Sequence, residues 1–414
     1  MACEEVSKAD VAPAQAGMCA SPTSTELFDV RSRMTTIPDG DGSSRPISRP
    51  ALSGATSRPI HLQRAGIGHS KLLLSVLLAA TALTFPVPAY AQSQWTGGVD
   101  GDWFNSGNWT AGVPTAGDQT YVNGDGVAPV IDGDDAFAHE LYLGTGGIGA
   151  PTGSLTIQNG GALSSDAAVI GHWAGTDYTL TVTGFGSYWE TFWTNTGMLG
   201  GTVIGESGKG RLEILDGADV VGDSARLGGS PDGEGSVLVD GAGSTWTLTQ
   251  SPQSTLYVGN SGHGELVVSG GGQVESSRGI IGSGVTATGE VTITGVGSQW
   301  LMSSSLSVGQ GGEGQLSILD GGVVESSSAT IGAQEGTTGV VLVSGPGSTL
   351  TVTSGSSLSV GVSNNGPGYA HGTLIVADGG TVNALAGPAG PGRIVLGLGT
   401  ASEGALIIGA GAGD

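Results

Sequence analysis

Cysteine is almost missing: Cys3 and Cys19 are the only two in 414 residues. Everything after them is free of thiols, so disulfides and cysteine-based metal sites are excluded from the rest of the chain. A chain exported without such bridges must be stable through its core alone, and it can cross a narrow pore unfolded. Positive charge is scarce as well. Lys and Arg number 13 against 36 Asp and Glu, for a formal net charge of −23. Beyond residue 91 the only cations are Lys209, Arg211, Arg226, Arg278 and Arg393, set against 29 carboxylates. Such a surface repels nucleic acid and anionic lipid, so neither is expected as a partner, and it favours solubility. Helical spacing of apolar residues at i, i+3, i+4 and i+7 is absent outside residues 71–85, which argues against a helical architecture.

Glycine is abundant, at 79 residues, yet 38% of the chain is apolar, so this is no slack glycine-rich linker. The apolar residues recur at fixed places. Gly264–Glu313 holds two halves of 25 residues, GELVVSGGGQVESSRGIIGSGVTAT and GEVTITGVGSQWLMSSSLSVGQGGE. Fifty residues on, Leu266, Val268, Val274 and Ile281 become Leu316, Ile318, Val324 and Ile331. Upstream the same columns hold Leu212, Ile214, Val220 and Leu227, and before them Leu155, Ile157, Leu163 and Ile170. The second half repeats as VTGFGSYW, VDGAGSTW, ITGVGSQW and VSGPGSTL, ending at Trp189, Trp246, Trp300 and Leu350. Alternation every second residue predicts strands, and glycine supplies the corners. One such unit cannot bury its own apolar side, but stacked units can. The expected fold is all-β: a parallel β-helix or solenoid with one coil per half, about ten coils from Gly153 onward at about 4.8 Å each. A right-handed form is favoured, because coils of this length are long for left-handed hexapeptide types.

Taken in order, residues 1–70 are polar, rich in Ser and Pro, and aperiodic, so they read as a disordered extension. Residues 71–91 read as a secretory signal peptide. Arg64, His69 and Lys71 precede an apolar run of about 14 residues, and Ala89-Tyr90-Ala91 forms a cleavage site before Gln92. The run is shorter than the roughly 20 residues a membrane span needs. Its distance from Met1 suggests a long leader or a later start such as Met34. Residues 92–140 concentrate Trp95, Trp103, Phe104 and Trp109 and read as a cap over the first coil, with sugar stacking as the sharper alternative. Residues 141–414 are the repeat region, lengthened at Val362–His371 and loosened at Gly387–Gly392. The sequence stops just after a new unit opens at Gly404, as a truncated chain would.

Candidate chemistry is thin, and the expectation is no catalytic, metal or cofactor site. Gly205–Gly210 (GESGKG) looks faintly like a phosphate loop, but a Gly follows the Lys where Ser or Thr is needed. Its repeats place Lys209, His263 and Glu313 in one column, as expected of a solvated turn. Gly222–Ala225 (GDSA) offers a Ser without the base and orienting acid that a nucleophile requires, among only His139, His172, His263 and His371. Asp132, Asp134 and Asp135 read as a solvated loop rather than a Ca²⁺ site. Glu275 and Glu325 match across repeats, with Val221 and Ser164 as their equivalents, and two coils separate them by about 10 Å. They read as surface charges rather than a glycosidase pair. The Trp189, Trp246 and Trp300 column reads as packing, since Leu350 can replace Trp.

In combination, the signal peptide, the DWFNSGNWTAGVP start and the G-x-L-x-[IV]-x-[DN]-G-G and G-x-G-S-x-W repeats resemble the passenger region of bacterial type V autotransporters, across about residues 72–414. The resemblance implies a right-handed β-helical passenger carried to the cell surface by an outer-membrane β-barrel translocator. No barrel segments, with their alternating residues and aromatic girdles, are present in this sequence. It implies a non-catalytic, monomeric adhesin or virulence-type scaffold whose partner is a host-cell or matrix protein or glycan. The chain would sit at the cell surface or outside the cell, or in the periplasm if the truncation is real. Alternatives are a β-helical polysaccharide-active enzyme, or a remnant that is exported but never displayed.

Overall fold

Each half-repeat folds as one coil of three strands, and the coils pile in parallel register. The computed structural model describes residues 90–124, 126–145, 151–192, 201–355, 357–362, 369–388, 390–399 and 402–409. All belong to one compact unit, Leu83–Asp414. A representative coil runs through His263–Ser269 on face one, Gln273–Ser276 on face two and Arg278–Ile281 on face three. Its successor repeats the path through Thr288–Thr294, Gln299–Met302 and Ser305–Val308. Face one is an 11-stranded parallel ladder, from Val130–Asp132 to Ser402–Ile408. Faces two and three form the second sheet. They are joined where Asp135–Leu143 and Ala162–Ile170 run on from one face to the other. Among the described residues the only helical element is a single 3-10 turn, Ser106–Asn108.

The glycine-rich corners between faces one and two come in two forms that alternate coil by coil. One is Asn/Asp-Gly-Gly/Ala. Asn159, Asp216, Asp320 and Asp378 all hold φ between 50 and 55°, a left-handed conformation that Asn and Asp tolerate best after glycine. The other is the Gly-x-Gly-Ser corner. Its serine is buried, and the Oγ atoms of Ser187, Ser244, Ser298 and Ser348 accept the backbone N–H of Gly160, Gly217, Gly271 and Gly321 at 3.0–3.1 Å. The serine of this motif is therefore a staple between coils.

The core alternates too, which explains why the sequence repeats every 50 residues while the coil repeats every 25. Along face two the inward column reads Leu163, Trp189, Val220, Trp246, Val274, Trp300, Val324, Leu350. Face three opposes it with Ala168, Thr202, Ala225, Leu256, Gly279, Leu306, Ala329 and Leu358. Trp300 extends over Gly279, the small residue of the coil before it. Had Gly279 a Cβ, it would stand 2.5 Å from Cζ2 of Trp300. Large-over-small interdigitation of this kind fills the interior at crystal-like density. All three tryptophans and Leu350 are buried, so the column is core, not a binding strip.

Two of these indoles also hydrogen-bond. Trp189 Nε1 donates to Ser165 Oγ at 3.2 Å and Trp300 Nε1 to Ser276 Oγ at 3.1 Å. Where Leu350 replaces Trp, the equivalent Ser326 Oγ is buried with no partner among the described residues. Ser276→Ala is therefore expected to cost about 1–3 kcal/mol, because it orphans the indole N–H. Ser326→Ala is expected to be neutral or mildly stabilising. Urea unfolding of the two variants side by side checks this contrast.

At the start of the ladder, Ala91–Trp95 pairs with Asp118–Val122, which pairs in turn with residues 140–143. Trp95, Trp103 and Trp109 are buried together in edge-to-face contact, with centroids 5.0 and 4.7 Å apart. Trp95 Nε1 donates to Val127 O and Trp109 Nε1 to Trp103 O. Burial of all three rings leaves these tryptophans no face for a sugar.

The extension 1–70 and the apolar run Lys71–Phe85 lie outside the described residues, as does Ala89. Of the insertion Val362–His371, residues 363–368 lie outside them too. Gly387 and Gly390 exchange N–H···O bonds of 2.9 and 3.0 Å, so glycine and proline close a turn there rather than loosening it.

Candidate functional site

Outward side chains of face one stand in straight columns, because parallel in-register pairing repeats every position from coil to coil. The first outward position carries Asp177, Lys209, Glu234, His263, Thr288, Glu313, Thr338 and His371. Lys209, His263 and Glu313 do share a column, as the repeats predict. They open strands, however, instead of occupying a turn, since the ladder pairs them directly. Two positions on, Arg211, Ser236, Glu265 and Glu290 form a second column.

Where the columns carry both charges they enclose a shallow, open depression of about 290 Å³, lined by Asp177, Lys209, Arg211, Glu234, His263 and Glu265 with Gly210, Gly235 and Ser236. Lys209 Nζ sits 2.6 Å from Glu234 Oε2, with both side chains at least half exposed. The hydrogen bond that Lys209 donates to Glu234, and the charge of that carboxylate, hold the ammonium above the usual lysine range, with Asp177 adding to it. Arg211 Nη1 lies 3.9 Å from Glu213 Oε1, and His263 Nδ1 lies 2.9 Å from Thr288 Oγ1. Chemically this is a solvated pairing of cations and carboxylates. It can recognise a polar ligand.

Other sequence candidates are occupied structurally. In Gly205–Gly210 the N–H groups a phosphate would need are already donated to the preceding coil. Gly205 bonds Ile170 O, Glu206 and Gly208 bond Gly171 O, and Lys209 bonds Thr176 O, at 2.7–3.1 Å. Asp223 is buried and accepts from Ser254 Oγ, while Ser224 Oγ accepts the Thr255 N–H. No histidine bond among the described residues involves Ser224. His139 pairs with Asp166, His263 with Thr288 and His371 with Glu403, and His172 Nδ1 has no partner among the described residues. Asp132 accepts from Gln158 at 3.4 Å and Asn159 at 2.7 Å, so it links coils. Among the described residues no three His, Cys, Asp or Glu side chains are placed to hold a metal ion. Glu275 and Glu325 face outward on face two with Leu301 between them, and their shallow depression contains no cation.

An aromatic row on the outer side of the first coils was not singled out from the sequence. Tyr121 and Tyr142 occupy one column of face three, with centroids 5.2 Å apart and planes 12° from parallel. His172 continues the row, 5.4 Å from Tyr142, and exposed Trp173 follows 6.3 Å from His172. Polar groups run alongside. Gln119 Nε2 donates to Glu140 Oε2 at 2.7 Å, Tyr142 Oη donates to the same oxygen at 2.9 Å, and Tyr121 Oη donates to Gln119 Oε1 at 3.1 Å. Burial, then the Glu140 carboxylate, raises both phenols above their ordinary range, Tyr142 the more strongly. Burial also lowers the pKa of His172, favouring its neutral ring. The signal available was the match of QTYVNG with ELYLGT, obscured because their spacing is shorter than the 25-residue period.

No protein-family profile matches the chain. Over 134 residues, 30% of its length, it is 33% identical to the adhesin BmaC autotransporter of Brucella suis biovar 1 (strain 1330). The matched stretch is only 4% of that much longer protein. A crystal structure of a TibC-catalysed hyper-glycosylated TibA fragment overlaps 78% of this chain and 98% of its own, at 16% identity and a TM-score of 0.27. The solenoid itself is read from the strand pairing.

Proposed function

We propose that the chain is a passenger of the autotransporter kind, displayed at or released from the cell surface as a non-catalytic adhesin scaffold. The similarity to an adhesin autotransporter carries this reading. The regular parallel solenoid supports it, since such a rod offers long lateral faces and loops for contact. The tryptophan cluster at the start of the ladder serves as its cap, closing an end that would otherwise expose apolar core. On this reading the signal peptide delivers the chain to the periplasm, and a β-barrel translocator takes it across the outer membrane. Purified full-length chain is expected to bind epithelial monolayers or immobilised matrix proteins above an acidic control protein of similar charge. Binding no better than that control sinks the adhesin reading.

One observation favours a second reading, a polysaccharide-active enzyme. Asp177 and Glu234 flank Lys209 from the coils on either side, and Arg211 and Glu265 line the same depression. A polysaccharide screen that finds turnover, abolished by Glu234→Gln, would establish it in place of the first.

A further inference from the structure

Exposed aromatics elsewhere on the solenoid stand singly or in pairs: Phe185 is 92% exposed at a corner, Tyr90 stacks on His139 and Tyr369 on His371. Tyr121, Tyr142, His172 and Trp173 instead form a continuous row beside Gln119 and Glu140. The two tyrosine rings are offset-stacked, and each remains partly accessible. Their hydroxyls are held by Gln119 and Glu140, which fixes the rings against rotation away from the surface.

We propose that this row is a carbohydrate-binding platform for a neutral glycan lying along the solenoid axis. A pyranose presents an apolar C–H face rimmed by hydroxyls. The exposed Trp173 ring offers a surface for the first part, and the accessible edges of the stacked tyrosines, with Gln119 and Glu140, offer hydrogen-bonding groups for the second. Tyr121 and Tyr142 lie one rung of about 4.8 Å apart along the axis, and His172 and Trp173 extend the row from the corner of the next coil. Charge selects within the class. Glu140 sits at the centre of the polar edge on a chain of net charge −23, so uronates and sialylated glycans are repelled. The proposal deepens the adhesin reading by naming the ligand class, and it rests on that reading only for where the glycan is met.

The full-length chain, printed against a glycan array and then titrated with the best binders, decides the matter. N-acetyllactosamine oligomers represent animal-type glycans and xylohexaose and cellohexaose represent cell-wall types, with polygalacturonate and sialyl-lactosamine as anionic controls. Binding of at least one neutral series is expected, with tenfold or greater weakening in Trp173→Ala and in Tyr142→Ala. Phe185→Ala should bind as the parent does. Tyr142→Phe should retain most binding, which keeps the test valid if Tyr142→Ala does not fold. Glu140→Gln is expected to admit anionic glycans. The platform is overturned if no neutral glycan binds, if Trp173→Ala binds like the parent, or if anionic glycans are preferred. Cell adhesion that persists without glycan binding would sink this inference alone and leave the adhesin reading standing.

Discussion

Gly289→Ala is expected to break the stack around its coil, at a cost of about 3 kcal/mol or more from overpacking against rigid backbone. Gly289 belongs to the buried column at the second position of face one, with Gly264, Gly314 and Gly339. A Cβ there would stand 2.2 Å from Val258 O and 2.7 Å from Gly282 N. Both are backbone atoms of neighbouring turns, already committed to coil-to-coil hydrogen bonds, so neither can yield without undoing the ladder. Gly160→Ala makes the control. Its φ of 81° is strained for alanine, but no atom lies within 4 Å, and the expected cost is about 1–2 kcal/mol. Because each coil touches only its neighbours, the damage in Gly289→Ala should be local. Amide exchange should quicken first in the coils around residues 255–320, and a uniform loss of protection along the rod would contradict this account. Tyr178 is the telling exception in the column. It replaces glycine between Gly153 and Gly210, and its ring packs over Gly124, Gly144 and Gly153.

The second large effect concerns the alternating interior. Trp300→Ala should cost about 3–5 kcal/mol, from lost burial plus a cavity above Gly279. Gly279→Leu should also be destabilising, because the new side chain meets Trp300 Cζ2 and Cη2 within 2.5–2.6 Å of the Cβ position. Combined, the two changes exchange large for small across one interface. The double variant is expected to recover about 1–3 kcal/mol relative to the sum of the singles. Additive losses would mean that the tryptophan and glycine columns pack independently, and the 50-residue period would then need another cause.

Much of this was open to reading in one dimension. The 25-residue coil, the parallel all-β fold, the inward columns of Leu, Val and Ile, and the packing role of Trp189, Trp246 and Trp300 follow from periodicity, since a unit too small to bury its apolar side must share it with neighbours. The candidate site was less legible. Lys209, His263 and Glu313 aligned as a column in sequence, but Glu234, Lys209's partner, comes from the next coil, and no local pattern announces a pair made by stacking. Nor did the sequence identify the serine of Gly-x-Gly-Ser as a staple, or the order in which tryptophan covers glycine. Tyr121, Tyr142, His172 and Trp173 became one surface only when irregularly spaced coils were brought into register. Composition and repeats determine that coils stack, because that depends on which residues are apolar and how often. Tertiary structure alone decides which side chains meet between coils, because corner geometry and loop length set the registry.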